Sequence, residues 1–170
     1  MQRKMRTLII ILFIFSSLLS KATEQTSDIL IYKSDTIYIA YFPLEILAEK
    51  DSIILNRLND TTCLSTDCWR QHIGIWKIEN DSLFLIGLKD CCDYKEIPLN
   101  KVFSETEIQN GKVFANWYSE NIKAGFGKWL AFDEGNWQNI YEKNIELEIV
   151  YGKIEKCVIQ NTKPKNEKNE

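Results

Sequence analysis

The only histidine of the chain, His72, is where acid–base chemistry or a metal site would have to be built. A Ser-His-Asp or Cys-His site needs a nucleophile held beside its base, and no nucleophile motif accompanies His72. A zinc site needs several ligands, and the cysteines lack the paired close spacing around His72 that such sites show. We therefore expect a structural or surface histidine, no metal and no cofactor.

Acidic residues offer a second kind of chemistry, because a glycosidase needs only two carboxylates that face each other across a cleft. Asp133 and Glu134, beside Gly135, are the strongest candidates for such a pair. Acidic residues next to a glycine are, however, usually solvated turn formers. A hydrolase that uses Asp133 and Glu134 is thus the alternative hypothesis, and the sequence favours a protein without catalytic residues.

Aromatic residues are concentrated in the second half of the chain, at Trp117, Tyr118, Trp129, Trp137 and Tyr141. Large apolar side chains are usually buried, so we expect most of these tryptophans in the core and no aromatic platform. Exposed rings that share one sheet face would instead indicate a groove for a carbohydrate or a peptide. In that case the candidate ligand-binding residues are Trp117, Trp129 and Trp137.

Five cysteines allow two disulfides and one free thiol if the protein is exported to an oxidising compartment. We predict that Cys63 and Cys68 are linked to Cys91 and Cys92. Adjacent cysteines on a strand point to opposite faces, so one of Cys91 and Cys92 can reach Cys68 while the other meets Cys63. Cys157 is then the odd thiol, expected to be a small buried hydrophobic residue.

The cysteines flank the clearest structural signal in the sequence, two β-prone runs on either side of Asn80-Asp81 that predict a hairpin. If these two residues form the turn, the numbers of facing residues sum to 161. The predicted pairs are Ile78–Leu83, Trp76–Leu85, Gly74–Gly87, Ile75–Ile86, Ile73–Leu88 and His72–Lys89. Because both faces are apolar, we expect this hairpin to lie centrally in a sheet.

The rest of the chain reads as short strands separated by turn residues. Strands are predicted over residues 29–33, 36–41, 112–119, 121–123, 128–132, 139–150 and 153–159. Pro43 can begin a helix that runs to Lys50, and residues 99–104 favour a single helical turn. Residues 53–58 form either another helical turn, which we favour, or a short strand. This pattern predicts a mostly β (α+β) fold, with an antiparallel sheet arranged as a sandwich or a partly open barrel and one or two short helices in its N-terminal part.

Both ends of the chain look different from its middle. Residues 1–22 combine a basic start, an apolar run and the small-x-small triplet Ser20-Lys21-Ala22, the pattern of a signal peptide cleaved after Ala22. Residues 161–170 are almost entirely polar and predict a disordered tail. A single domain over residues 23–160 lies between them. We therefore expect an exported protein, periplasmic or secreted, without a stable membrane anchor.

The sequence resembles a family of small exported Bacteroidota proteins with no assigned activity. The resemblance is carried by Asp28–Tyr32, Pro43–Glu45, Cys68–Arg70 with Trp76–Ile78, the pair Cys91-Cys92, and Gly111–Ser119. It covers most of the chain after the signal peptide and implies no catalytic residue, cofactor or substrate.

Charge and the lack of a reactive motif narrow the expected function. Removal of residues 1–22 leaves 17 basic and 24 acidic residues, a net charge of about −7, which disfavours nucleic acid as a partner. The strand-rich scaffold contains no recognisable reactive group. The sequence therefore predicts a non-enzymatic exported binding or interaction module, with a protein or a carbohydrate as its partner.

Overall fold

The structure, a computed structural model, describes residues 25–58 and 65–162. The predicted signal peptide, Cys63 and residues 163–170 of the predicted tail lie outside these ranges. The strands are Asp28–Tyr32 (β1), Asp35–Ile39 (β2), His72–Glu79 (β3), Ser82–Asp90 (β4), Glu96–Ile97 (β5), Ile108–Gln109 (β6), Lys112–Phe114 (β7), Asn121–Asp133 (β8), Gln138–Val150 (β9) and Lys153–Asn161 (β10). The helices are Pro43–Lys50 (α1), Ser52–Leu58 (α2) and Leu99–Val102 (α3).

The strands form one sheet that curls into a nearly closed barrel. Its main path runs β2-β1-β3-β4-β10-β9-β8, and β2 lies close to β8 at the other end of that path. Neighbours are antiparallel except β1 and β3, which run parallel. The predicted mostly β fold with a partly open antiparallel barrel and short helices is therefore confirmed.

The β3–β4 hairpin turns at the predicted residues. Asn80 and Asp81 both have positive φ, 49° and 51°, as a two-residue turn that matches strand twist requires. Trp76 faces Leu85 as expected, and the hairpin lies inside the sheet between β1 and β10. The turn residues thus set the register correctly over the first half of the hairpin.

Beyond Trp76 the predicted register is wrong by one residue. Ile86 is an extra residue on β4, a β-bulge, so that the observed pairs are Ile75–Gly87, Gly74–Leu88, Ile73–Lys89 and His72–Asp90. The two glycines therefore do not face each other. A Cβ atom on Gly74 would lie 2.5 Å from Nε1 of Trp76, so this glycine makes room for the indole of its own strand.

Other element boundaries differ modestly from the prediction. The segment around Gly125 does not interrupt a strand, because β8 is continuous from Asn121 to Asp133 and absorbs its irregularity in two bulges near Trp129. The strand predicted to end at Ser119 stops at Phe114. β10 reaches Asn161, the first residue of the predicted tail.

The core fills the barrel and the space beneath the helices. Trp76 and Tyr118 are its largest fully buried side chains. Helix α1 begins with Pro43, whose missing N–H costs nothing at that position, and buries Leu44 and Ala48 against the sheet. In the described ranges no helix is long and apolar enough to cross a membrane.

Candidate functional site

The far end of the β8–β9 hairpin projects from the barrel. We call residues 127–140 the distal arm. Every residue from Gly127 to Asn139 is exposed except Asp133, which is half-buried. A ribbon exposed on both faces cannot be part of the barrel wall, whose strands bury one face. The two bulges that flank Trp129 interrupt the regular pairing at the base of this arm.

One face of the distal arm carries exposed aromatic side chains. Trp129, Phe132 and Trp137 are 55%, 43% and 68% exposed. Phe132 pairs across the hairpin with Asn139, and the indole N–H of Trp129 donates to Oδ1 of Asn139 at 3.1 Å. The rings of Phe132 and Trp137 meet edge to face with centroids 5.7 Å apart. These contacts hold the three aromatic side chains together on one side of the ribbon.

The prediction that most tryptophans of the second half are buried is wrong for Trp129 and Trp137. It fails because both lie on a hairpin that extends past the core, so that no other element covers them. Trp117 behaves differently. Its ring stacks on Phe103 at 6.0 Å and its indole N–H donates to the carbonyl oxygen of Pro43 at 2.7 Å, which assigns it to the packing of α1.

A groove with a volume of about 500 Å³ lies beside the distal arm. Its walls come from the arm and from β8, β9 and β10 where they form the barrel. Amide side chains dominate its polar lining, namely Gln138, Asn139, Asn144 and Gln160. Its charged lining residues are Lys123 and Glu146, which form an ion pair at 2.9 Å. The groove is therefore polar but carries no unbalanced charge.

The acidic residues proposed as a catalytic pair lie at the tip of the distal arm. Oδ1 of Asp133 accepts hydrogen bonds from the backbone N–H groups of Gly135 at 3.0 Å and Asn136 at 3.4 Å. Its Oδ2 accepts one from Nδ2 of Asn136 at 3.0 Å. Glu134 is exposed in the same turn, and neither carboxylate lines the groove. Asp133 thus shapes the turn that connects β8 with β9.

A second polar feature, which no sequence pattern indicated, is a carboxylate buried in the barrel. Asp28 has no exposed surface, and its Oδ1 accepts from the backbone N–H of Gly74 at 3.0 Å and from Nη2 of Arg70 at 3.3 Å. Its Oδ2 accepts from Nε1 of Trp76 at 2.9 Å. Burial raises the pKa of Asp28 to about 6, although Arg70 and the two other donors act in the opposite direction.

Arg70 completes this cluster and is itself largely buried. Nη2 also donates to the carbonyl oxygen of Thr26 at 2.8 Å, and the guanidinium lies 3.5 Å from the ring centre of Phe42. Among the described residues, Nε and Nη1 of Arg70 have no hydrogen-bond partner. Burial lowers the pKa of Arg70 as it raises that of Asp28, so for both groups desolvation exceeds the attraction of the pair.

His72 lies in the same interior and has the environment of a neutral imidazole. It is 1% exposed, Nδ1 lies 2.6 Å from the carbonyl oxygen of Arg70, and Nε2 lies 3.6 Å from Oε1 of Glu45. Burial lowers the pKa of His72 to about 4. Because Nδ1 must donate to that carbonyl oxygen, Nε2 of the neutral ring carries no proton, and it can hydrogen-bond Oε1 of Glu45 only when the Glu45 carboxyl, whose pKa is raised by burial, is protonated.

The cysteines meet at the open end of the β3–β4 hairpin. Cys68 and Cys91 are joined by a disulfide, with Cα atoms 6.2 Å apart, which confirms a bond between the loop before β3 and the end of β4. Cys92 is disulfide-bonded too, while Cys63 lies outside the described residues. Cys157 is the free thiol, as predicted. The prediction that it is buried is wrong, because most side chains of β10, including that of Cys157, are exposed.

Comparison with known proteins gives no further guide. No family model, no curated protein and no solved structure matches the chain. The geometry of the molecule itself is therefore the basis for inferring its function. Among its described features, the aromatic face of the distal arm and the adjoining groove are open to a ligand, whereas the Asp28 cluster is sealed inside the barrel.

Proposed function

We propose that this protein is a non-enzymatic exported binding module that binds its ligand at the distal arm. The observation that carries the proposal is the exposed aromatic face formed by Trp129, Phe132 and Trp137. Burial of apolar surface is worth roughly 25 cal/mol per Å², so leaving such side chains in water forgoes stability. Exposed apolar patches of this kind mark interaction sites on soluble proteins.

The geometry favours a binding module over the hydrolase alternative. Oδ1 and Oδ2 of Asp133 are engaged by backbone and side-chain donors of the turn, which is a structural use of a carboxylate. Among the described residues, the titratable groups with strongly shifted pKa values are Asp28, His72 and Tyr118, and all three are buried, away from the surface that a substrate would reach.

Export is supported by the disulfide chemistry and by the signal pattern of residues 1–22. The Cys68–Cys91 bond suits an oxidising compartment, where disulfides form and persist. The resemblance to small exported Bacteroidota proteins agrees with the same location.

The proposal is tested by presenting the fluorescently labelled protein to a glycan array and to a peptide array. We expect specific binding to members of one array, reduced at least ten-fold in the double variant Trp129→Ala/Trp137→Ala. Trp69→Ala is the matched control, because Trp69 is 74% exposed and lies in the loop before β3. Binding that the double variant retains in full, or no binding to either array, would contradict the proposal, and cleavage of a bound member would contradict a non-enzymatic role.

A further inference from the structure

We propose that the groove beside the distal arm binds a neutral oligosaccharide, with Trp129 as the stacking surface and the groove amides as hydrogen-bonding groups. This inference rests on the proposed binding function and specifies the ligand class. The volume of about 500 Å³ is that of a small-ligand site, within the usual range of roughly 300–1,000 Å³.

The charge of the groove argues for a neutral ligand. Lys123 and Glu146 are the charged residues of its lining, and their Nζ and Oε1 atoms lie 2.9 Å apart. A site for phosphate, sulfate or a polyanion would present cationic donors to the ligand, and here the lysine is already paired with a carboxylate. A cationic ligand would in turn meet a carboxylate that is already paired with a lysine.

The amides supply the hydrogen bonds that a sugar needs. A sugar hydroxyl both donates and accepts, and an amide side chain offers two donors and a carbonyl acceptor, so the two are complementary. The indole N–H of Trp129 occupies Oδ1 of Asn139, which leaves the NH₂ group of Asn139 as a donor. Nδ2 of Asn144 donates to Oγ1 of Thr162 at 2.9 Å, which leaves its Oδ1 as an acceptor. Two lining amides are thus fixed in orientation before a ligand arrives.

The hydrogen bond between Trp129 and Asn139 also connects the indole ring to the groove, because Asn139 lines the groove although Trp129 itself does not. The π face of an aromatic ring is negative, and the C–H groups on one face of a pyranose are weakly positive and apolar, so the two pack together. The same residue pair therefore positions both a stacking surface and a hydrogen-bonding group. A peptide that adds to a strand edge would use backbone groups instead and would need neither the amides nor the ring.

Isothermal titration with defined oligosaccharides tests the inference. The neutral probes are cellohexaose, xylohexaose, mannohexaose and maltohexaose, and an oligogalacturonide is the anionic comparator. We expect at least one neutral probe to bind, with an affinity that is unchanged between 50 and 500 mM NaCl because no charge is involved. Trp129→Ala and Gln160→Ala should each weaken that binding at least five-fold, and Trp69→Ala should leave it unchanged.

Folding and specificity need separate controls. The urea midpoint of each variant shows whether it is folded, and Trp129→Phe, which keeps a ring but loses the indole N–H, should weaken binding less than Trp129→Ala. Binding of the oligogalacturonide alone, or of no neutral glycan here or on the array, would overturn the inference. If peptides bind and glycans do not, the ligand class is wrong and the binding module stands; if neither binds, both proposals fail.

Discussion

Asp28 is an acidic residue whose carboxyl group lies entirely inside the barrel, where a charge is costly. Its carboxylate is fully buried at the start of β1 and receives three hydrogen bonds, two of them from β3. A buried ion pair adds little net stability, since desolvation offsets the attraction between the charges. The value of this cluster lies in fixing where β1 pairs with β3, because Asp28 bonds donors on Gly74 and Trp76 at the same time.

We predict that Asp28→Asn changes the pH dependence of stability. The folded pKa of about 6 lies above the unfolded value of 3.8, so Asp28 costs nothing below pH 3.8 and destabilises the fold increasingly as the pH rises through 6. The variant lacks this penalty. The difference in unfolding free energy, variant minus wild type, should therefore increase by on the order of 2 kcal/mol from pH 4 to pH 7, measured by urea denaturation. A difference that stays constant with pH would show that Asp28 titrates normally.

His72 should show the opposite dependence. The folded pKa of His72 is about 4, below the unfolded value of 6.5. Neutral His72 therefore leaves the free energy of unfolding intact above pH 6.5, and that free energy is lost as the pH falls through 4. His72→Gln removes this loss. On acidification from pH 7 to pH 4 the variant should lose about 3 kcal/mol less unfolding free energy than the wild type. A wild-type imidazole that titrates near pH 6.5 by NMR would contradict the prediction.

The residues of the candidate site were only partly predictable from the sequence. Trp129 and Trp137 stood out by type, but the general rule that tryptophan is buried gave the wrong environment. The run Trp129–Phe132 is apolar at four successive positions, so a strand over these residues has apolar side chains on both faces. At least one of those faces is exposed unless other elements pack against both. Asp28 could not have been identified, because its donor Gly74 lies 46 residues away in sequence.

At the scale of elements, local signals predicted turns better than registers. Asn80-Asp81 and Tyr151-Gly152 both form the expected turns, since residues that tolerate positive φ are few. The bulge at Ile86 was not predictable, because nothing in the hairpin's alternation marks an extra residue. β7 ends early because Ala115 and Tyr118 turn into the core instead of continuing along a neighbouring strand.

Two turn glycines provide a matched test of how tightly the β9–β10 turn is docked. Gly152 and Gly111 have almost the same φ, 75° and 74°. A Cβ atom on Gly152 would lie 2.6 Å from the backbone oxygen of Ala115, whereas one on Gly111 would meet nothing within 4 Å. The N–H of Gly152 also donates to the carbonyl oxygen of Tyr118, and its own carbonyl oxygen accepts from the N–H of Leu83.

We therefore predict that Gly152→Ala is much more destabilising than Gly111→Ala. Gly111→Ala should cost only the strain of positive φ, about 1 kcal/mol. Gly152→Ala should cost roughly 3 kcal/mol or more, because the backbone of Ala115 must also move. Chemical denaturation of both variants measures the difference. Equal losses would mean that the β9–β10 turn does not dock against the segment after β7.

At the scale of the whole molecule, the barrel is held together by pairings between distant segments. The parallel pairing of β1 with β3 and the approach of β2 to β8 join the first two strands to strands that come much later in the chain. Local sequence patterns predict hairpins, but they carry no information on which hairpin lies beside which. The fold class was therefore predictable, and the order of strands around the barrel was not.

The Cys68–Cys91 bond stabilises one of these distant junctions. The loop that contains Cys68 also holds the start of β1, because the N–H of Thr26 donates to the carbonyl oxygen of Asp67 at 2.6 Å and Arg70 bonds Asp28. The bond therefore connects the end of β4, through this loop, to the strand that pairs parallel with β3. Its loss should loosen β1 before it loosens the hairpin at Asn80-Asp81.

We predict that the double variant Cys68→Ala/Cys91→Ala loses at most about 3 kcal/mol of unfolding free energy, the chain-entropy value for a single bond that spans 23 residues, since Cys92 keeps its own disulfide. Cys157→Ser is the control and should cost less than about 0.5 kcal/mol, since Cys157 is an exposed free thiol. Hydrogen exchange should rise in Ile29–Ile31 of the double variant before it rises in Ile78–Leu83, because only β1 depends on the loop that the bond fixes. A uniform rise would contradict this coupling, and a non-reducing peptide map that links Cys157 to another cysteine would contradict the disulfide arrangement itself.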